Sequence, residues 1–263
     1  MPNDLVSIIM LSHEGGEHVK ETIESVKAQT YQNWELLFVD DNSKDDTISQ
    51  MMDLKGNDKR FIISHSVYRK GSSYLRNNAL KEAKGRWIAF LDVGDVWTPD
   101  KLEKQVRFME TNGYAFSYTK YGLMNGQSES RGVVIGGKAH ISYQDMRKCC
   151  WPAYLTVMYD AWQVGKMQIR NSGKNNDYAL WLNVSEKVDC HLLDENLATL
   201  RTKWSVFGKL FLTDKFKWRY DSFRVEEDLR PFTAILFTIR NSFYGLVKWF
   251  KYVKGGRYGC TTD

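Results

Sequence analysis

The chain has 263 residues, 43% of them hydrophobic and 26% charged, which suits one large core and excludes a disordered chain. Its net charge is +5, yet residues 201–263 hold 13 Lys/Arg against 6 Asp/Glu while the first 200 hold 24 against 26. The body is therefore not a basic nucleic-acid surface, and only the last segment calls for an anionic partner or is a solvated basic helix. Cys149, Cys150, Cys190 and Cys260 form no CxxC pair, zinc spacing or disulfide framework. The start, MPNDLVSIIML, is a strand with a polar lead-in and not a leader, so a reducing cytoplasm is expected.

The first predicted element is LVSIIML (5–11), a continuous apolar run of the kind buried on both faces of a sheet. EHVKETIESVKAQ (17–29) puts Val19, Ile23 and Val26 on one helical face. WELLFVDDNS (34–43) is a second buried strand running into a turn, and RFIISHS (60–66) is a third. SSYLRNNALKEAKG (72–85) reads as a helix stopped by Gly85 at C′. RWIAFLD (86–92) is a fourth strand, and TPDKLEKQVRFMET (98–111) is a helix with Thr98 as N-cap and Pro99 at N1. This alternation predicts a parallel, doubly wound α/β sheet with right-handed crossovers. Ligands of such sheets sit beyond the strands' carboxyl ends, where SHEGGEH, DDNS and DVGD all fall.

From Tyr114 the rhythm changes. YAFSYTKYGL (114–123), AYLTVMYD (153–160) and HLLDENLATLRTK (191–203) read as strands, GVVIGGK (132–138) as a loop and NDYALWLNVSEK (176–187) as a short helix. In residues 231–257, Phe232, Leu236, Ile239, Phe243, Leu246, Phe250 and Val253 form one apolar stripe, with Arg240, Lys248 and Lys251 away from it. The internal cations make it a poor bilayer span. It reads as an interfacial amphipathic helix on an anionic leaflet, with Trp249 and Tyr252 at headgroup depth. The alternative is a helix packed on its own domain or in a dimer.

The ordered set VSIIM, ETIESVKAQTYQNWELLFVDDNSKDDT, LRNNALKEAKGRWIAFLDVGDVWTPDKLEKQ resembles the inverting family-2 glycosyltransferases of the GT-A fold, above all those of bacterial surface-polysaccharide synthesis. It covers roughly residues 5–205. The resemblance implies a nucleotide-sugar half (1–112), an acceptor and catalytic half of the same domain (113–205) and a basic helical tail (206–263). It implies that Ser12, His13 and Glu14, where members more often carry Thr-Tyr-Asn, line the donor base. It makes Asp40, with Asp41 beside it, the acceptor for a pyrimidine N–H, since a carboxylate only accepts. Asp-Asn-Ser is also plain turn chemistry.

The same resemblance places Arg76 against the donor, where it forks onto phosphate, holds a carboxylate at the end of the fourth strand, or makes a simple surface pair. It makes Asp177 the general base, a residue that would serve equally as a helix N-cap. It brings Arg201 to the diphosphate. The donor is then a UDP-type sugar and the acceptor a lipid-linked sugar or glycan, with no nucleic acid, on the inner face of the plasma membrane. Members carry an Asp-Ser-Asp-Asp-like signature after the fourth strand, whose third position binds Mg²⁺ or Mn²⁺. Here the run is Asp92-Val93-Gly94-Asp95, so the metal falls to Asp92 and Asp95, or binding is weaker, or the chain is an inactive nucleotide-sugar-binding partner of another transferase.

Overall fold

A computed structural model of the chain describes residues 4–169, 177–202, 213–225 and 227–255. Its first half is set by four apolar strands: β1 (Val6–Ser12), β2 (Trp34–Asp40), β3 (Phe61–His65) and β4 (Trp87–Phe90). They pair in parallel in the order β3-β2-β1-β4, with Ile8 opposite Leu36 on one side and Ala89 on the other. Alternation along β1 sends Ile8 and Met10 to one face and Ile9 to the other. The first face is covered by α1 (Val19–Lys27), α2 (Thr47–Lys55) and α4 (Lys101–Asn112), through Ile23, Val26, Met51, Leu102 and Met109. The second is covered by α3 (Ser72–Glu82), through Leu75 and Leu80. Each such side chain removed from water contributes ~1.5–3 kcal/mol before entropy is counted.

Two local readings change. Gly85 is not a C′ residue: α3 ends at Glu82 with Ala83 extended (φ −56°, ψ 132°). Gly85 is needed because a Cβ there would lie 2.5 Å from the Leu5 carbonyl oxygen and 2.6 Å from the Ser7 nitrogen. The helix read from Thr98 starts at Lys101, with Asp100 as N-cap; Thr98 instead donates its hydroxyl to Asp100 (2.7 Å).

The second half adds β5 (Val96–Trp97), β6 (Phe116–Met124), β7 (Ser130–Ile135), β8 (His140–Ile141), β9 (Met158–Asp160) and β10 (Cys190–Arg201). Helices α5 (Tyr143–Lys148), α6 (Ala161–Val164) and α7 (Asp177–Ser185) intervene. Strand β9 is antiparallel to both β4 and β6 and joins the halves into one sheet. Strand β10 runs parallel to β6 and also pairs with β5, which carries Arg201 back to the end of β4. The segment 132–138, read as a loop, begins inside a strand: Gly122 and Tyr121 of β6 pair with Val134 and Ile135 of β7.

The tail forms α8 (Thr213–Val225), α9 (Pro231–Tyr252) and β11 (Val253–Gly255), the last antiparallel to β7. It is thus more than a helical extension, because it lengthens the sheet. Ala234, Thr238 and Asn241 bury one face of α9. Lys248 donates to the Cys150 and Trp151 carbonyls (3.1 and 2.5 Å), and the Tyr252 ring meets Trp151 edge-on. Lys248 and Tyr252 therefore face the protein, contrary to the headgroup depth expected of Tyr252. Phe232, Leu236, Ile239, Phe243 and Phe250 of the apolar stripe lie on the opposite, exposed face, and Leu246 and Val253 are half-buried. Residues 256 and 257 of that stretch lie outside the described residues.

Candidate active site

The loops after β1, β2 and β4 and the start of α3 enclose a cavity of about 820 Å³ at the carboxyl ends of the parallel strands. Ser12 to Gly15, Asp41, Arg69 to Ser72 and Asp92 to Asp95 form its wall, with Arg76 and Arg201. The three polar clusters picked out along the sequence thus converge on one space.

Adjacent carboxylates Asp40 and Asp41 divide. Asp40 is wholly buried and accepts from the Ser43 amide (2.8 Å), the Ser43 hydroxyl (2.5 Å) and the His65 ring nitrogen Nδ1 (2.9 Å). Asp41 lines the cavity and accepts from the Lys70 amide (2.9 Å). Asp40 therefore shapes the turn, and the carboxylate turned to the cavity is Asp41. His13 is held by its Nδ1 at 3.0 Å from the Asp41 carbonyl oxygen, and Glu14, at φ 52°, accepts the Lys44 amide at 2.8 Å. Ser12 is buried in the wall, its hydroxyl without a partner.

Arg76 ties the site together. Its guanidinium is 4% exposed and donates from Nη2 to Asp92 Oδ2 (2.6 Å) and from Nη1 to Asp177 Oδ1 (2.7 Å). One face of it lies 4.1 Å from the centre of the Tyr154 ring. Burial opposes its charge, but the Asp177 and then the Asp92 carboxylates outweigh this and raise its pKa. Burial raises the Asp92 pKa, with Arg76 acting the other way. Arg76 thus holds two carboxylates 85 positions apart in sequence, Asp92 from the β4 end and Asp177 from the start of α7. Asp177 is joined to the cavity through Arg76 and is not itself part of the wall.

The turn Asp92–Asp95 is pinned by Thr22 of α1, whose hydroxyl accepts from the Gly94 amide (3.0 Å) and donates to the Asp95 carbonyl (2.9 Å). Gly94 has φ +108°, a backbone conformation open to glycine and strained for other residues. Arg201 lines the cavity but is locked: Nε donates to the Gly94 carbonyl (2.8 Å), Nη1 to the Asn125 and Gly126 carbonyls (3.1 and 3.0 Å), and Nη2 to Glu21. Its backbone amide donates to Asp95 (2.9 Å). Among the described residues no three His, Cys, Asp or Glu side chains are grouped to hold a metal. Asp92 Oδ1, however, is buried without a hydrogen-bond partner, and Asp95 shares the wall. That is a fit for a hard cation taking one or two carboxylates and drawing its other oxygens from phosphate and water.

Arg69 and Lys70 were missed in the sequence. Both line the cavity and both are exposed, just before the N-terminus of the eleven-residue helix α3. Cations beside unsatisfied helix amides suit a phosphate. The signal was present as Arg-Lys-Gly-Ser ahead of a helix, a pattern shared by ordinary loops.

The sequence profile described as "Glycosyl transferase family 2" matches residues 7–164. The chain is 36% identical over 217 residues to the Escherichia coli protein WfgD, named UDP-Glc:alpha-D-GlcNAc-diphosphoundecaprenol beta-1,3-glucosyltransferase, covering 82% of this chain and 83% of WfgD. WfaP of Escherichia coli, with the same activity in its name, is 40% identical over 81% of this chain and 82% of its own. TuaG of Bacillus subtilis, a putative teichuronic acid biosynthesis glycosyltransferase, is 36% identical over 70% of this chain and 73% of its own. Among solved structures, S. aureus TarS 1–349 in complex with UDP-GlcNAc superposes with a TM-score of 0.67 at 16% identity, over 93% of this chain and 72% of that one. A Pyrobaculum calidifontis mannosyltransferase bound to GDP-Man and Mn2+ gives 0.61 at 13% identity, over 95% of this chain and 75% of its own. The architecture is therefore that of the GT-A glycosyltransferases, and the chain belongs to glycosyltransferase family 2.

Proposed function

We propose that the chain transfers a sugar, glucose by similarity to WfgD and WfaP, from a UDP-sugar to a lipid-linked acceptor ending in a diphosphate-borne sugar, with inversion. The observation that carries this reading is the Arg76 bridge, which sets Asp177 beside the strand end that faces the donor cavity. Asp41, His13 and Glu14 are the candidates to receive the base, and Arg69, Lys70 and the α3 amides the diphosphate. Asp177 takes the proton from the acceptor hydroxyl as that oxygen bonds to the anomeric carbon. The bond from that carbon to the diphosphate oxygen breaks, its electron pair leaves with UDP, and an α-linked donor yields a β-linked product.

Asp92 and Asp95 would hold a Mg²⁺ or Mn²⁺ ion, which when bound supplies positive charge to the leaving diphosphate. Arg201, bonded to Gly94 and Asp95, acts on the diphosphate through the shape of this turn. The reading assigns 1–112 to the donor, 113–205 to acceptor and chemistry, and 206–263 to attachment on the cytoplasmic face of the membrane that holds the acceptor.

The test is transfer from UDP-glucose to a synthetic GlcNAc-diphospho-lipid with Mn²⁺ or Mg²⁺. Asp177→Asn is expected to lower kcat by ~10³-fold while leaving UDP binding intact. A second reading, a nucleotide-sugar-binding partner of another transferase in a homodimer or mixed pair, draws on Gly94 standing where a carboxylate is usual. UDP binding without transfer, equal in wild type and Asp177→Asn, would select it.

A further inference from the structure

Helix α9 has two faces of opposite use. Ala234, Phe237, Thr238, Asn241, Tyr244 and Lys248 look toward the domain, and Asn241 donates to the Tyr178 hydroxyl (2.8 Å), next to Asp177. The other face carries Phe232, Leu236, Ile239, Phe243 and Phe250, exposed by 72, 51, 53, 61 and 76%. These are five of the seven residues of the 232–253 stripe, Leu246 and Val253 being half-buried, so most of a pattern that normally marks a core here points into solvent. A contiguous apolar surface of this kind marks an interaction site.

Charge selects the partner. Between Pro231 and Tyr252 there is no Asp or Glu, while exposed Lys251 edges the stripe and exposed Arg230 and Lys254 flank it; Arg240 is half-buried, its guanidinium turned in over the Phe237 ring. The nearest exposed acid in sequence is Asp228, in the turn before the helix. A second copy of this face would bring like cations together without acids to pair them. An anionic lipid surface accepts both the apolar stripe and its basic edge. Among the described residues no helix is long and apolar enough to cross a membrane, so the contact would be one of lying on it.

We propose that the outer face of α9 seats the protein on an anionic lipid surface while its inner face holds the helix that carries the base. This rests on the reading of a lipid-linked acceptor and names the surface that brings the enzyme to it. The seat is set by the fold, because Glu227, just before α9, is held by the Arg147 side chain and the Tyr143 hydroxyl (2.8 Å each), and β11 pins the far end to β7.

The experiment is flotation of the full chain with vesicles of phosphatidylglycerol and phosphatidylethanolamine, and with phosphatidylcholine alone. Wild type is expected to float with the anionic vesicles, and less with the neutral ones or in high salt. Leu236→Gln with Ile239→Gln and Phe243→Gln is expected to lower partitioning by at least roughly tenfold, since each change removes apolar burial. Phe232→Gln with Phe250→Gln, at the ends of the stripe, serves as a second variant should the triple change alter folding. The thermal shift given by UDP is measured in each and is expected to be unchanged. No flotation of wild type, or variants that float like wild type, overturns the proposal. So does a wild-type dimer that the variants dissociate while vesicles capture neither form. Flotation needs no catalysis, so a chain that floats but neither binds UDP nor transfers sugar refutes the function above and leaves the lipid seat standing.

Discussion

The parallel strands β1–β4 wall the cavity with their loops, while the mixed strands β5–β10 reach it directly through Arg201 and indirectly, by way of Arg76, through Asp177. The parallel half offers loops, backbone amides and cations such as Arg69 and Lys70 that stand in solvent. The mixed half offers side chains that are already engaged: Arg201 on Gly94, Asn125, Gly126, Ser128 and Glu21, Asp177 on Arg76, Tyr154 under the same guanidinium. Binding groups need freedom to meet a ligand, whereas a base needs a fixed position. Under the proposed function, donor binding and chemistry would divide along the seam of the sheet, with Arg76 as the tie across it.

The sharpest way to break this comparison is Arg76→Met. It leaves Asp92 and Asp177 close without a cation, and is expected to cost about 3 kcal/mol of stability. It should also lower kcat by ~10²-fold by loosening the base, with the dissociation constant for UDP changed far less. Equal losses in both would show that the two halves do not divide their roles.

Next in size is Lys101, buried at the start of α4 against the mixed half of the sheet. Among the described residues its ammonium reaches the Gln105 amide oxygen (2.7 Å) and the face of Trp97, and burial lowers its pKa to about 7. Gln105 in turn bonds Ser117 of β6 and the Thr156 carbonyl (3.0 Å each). From pH 7 up to the unfolded value near ~10.4 the unfolded chain binds the extra proton, so stability rises with pH across that window. Lys101→Met should remove this slope in urea melts and stabilise the protein at pH 7 by on the order of 3 kcal/mol.

Gly94→Ala tests the turn on the parallel side. At φ +108° it is expected to cost about 1–2 kcal/mol in thermal melts, although the nearest other atom, Arg201 Cδ, would be 4.0 Å from the new Cβ. Comparing Gly94→Asp with Gly94→Ala separates this strain from any metal affinity the added carboxylate brings. The smallest effect is expected from Lys70→Ala, about three- to tenfold weaker UDP binding, relieved by salt, with an unchanged Tm.

The parallel half was legible because a strand buried on both faces leaves a long apolar run, as in SIIML, ELLFV and WIAFL, with turn residues after it. Beyond its end that legibility stops. Asp40 and Asp41 have the same chemistry, and it is Asp40 that is held inward, by Ser43 in the turn and by His65 across β2 and β3. Short strands such as β5, β8 and β11 have two or three residues and no period to read. Gly85 looked like a helix stop because the reason for it, the Leu5 and Ser7 backbone, is nearly eighty positions away. Arg76 was placed at the site by its motif, but its bridge between two carboxylates depended on α7, a helix from the second half of the chain that shares the core with α3. Five residues of the stripe share an exposed face of α9, and the direction of the helix is marked by Asn241, which donates to the Tyr178 hydroxyl inside the domain.

The strand β11 has a practical consequence for engineering this protein. Cutting the chain before α9 would strip the outer neighbour from Val133–Ile135 of β7 and bare their amides and carbonyls. An open sheet edge recruits other strands, so such a shortened protein is a candidate for aggregation whatever its affinity for lipid. Soluble variants are better sought by recolouring the outer face of α9 one residue at a time, with the closing strand kept in place.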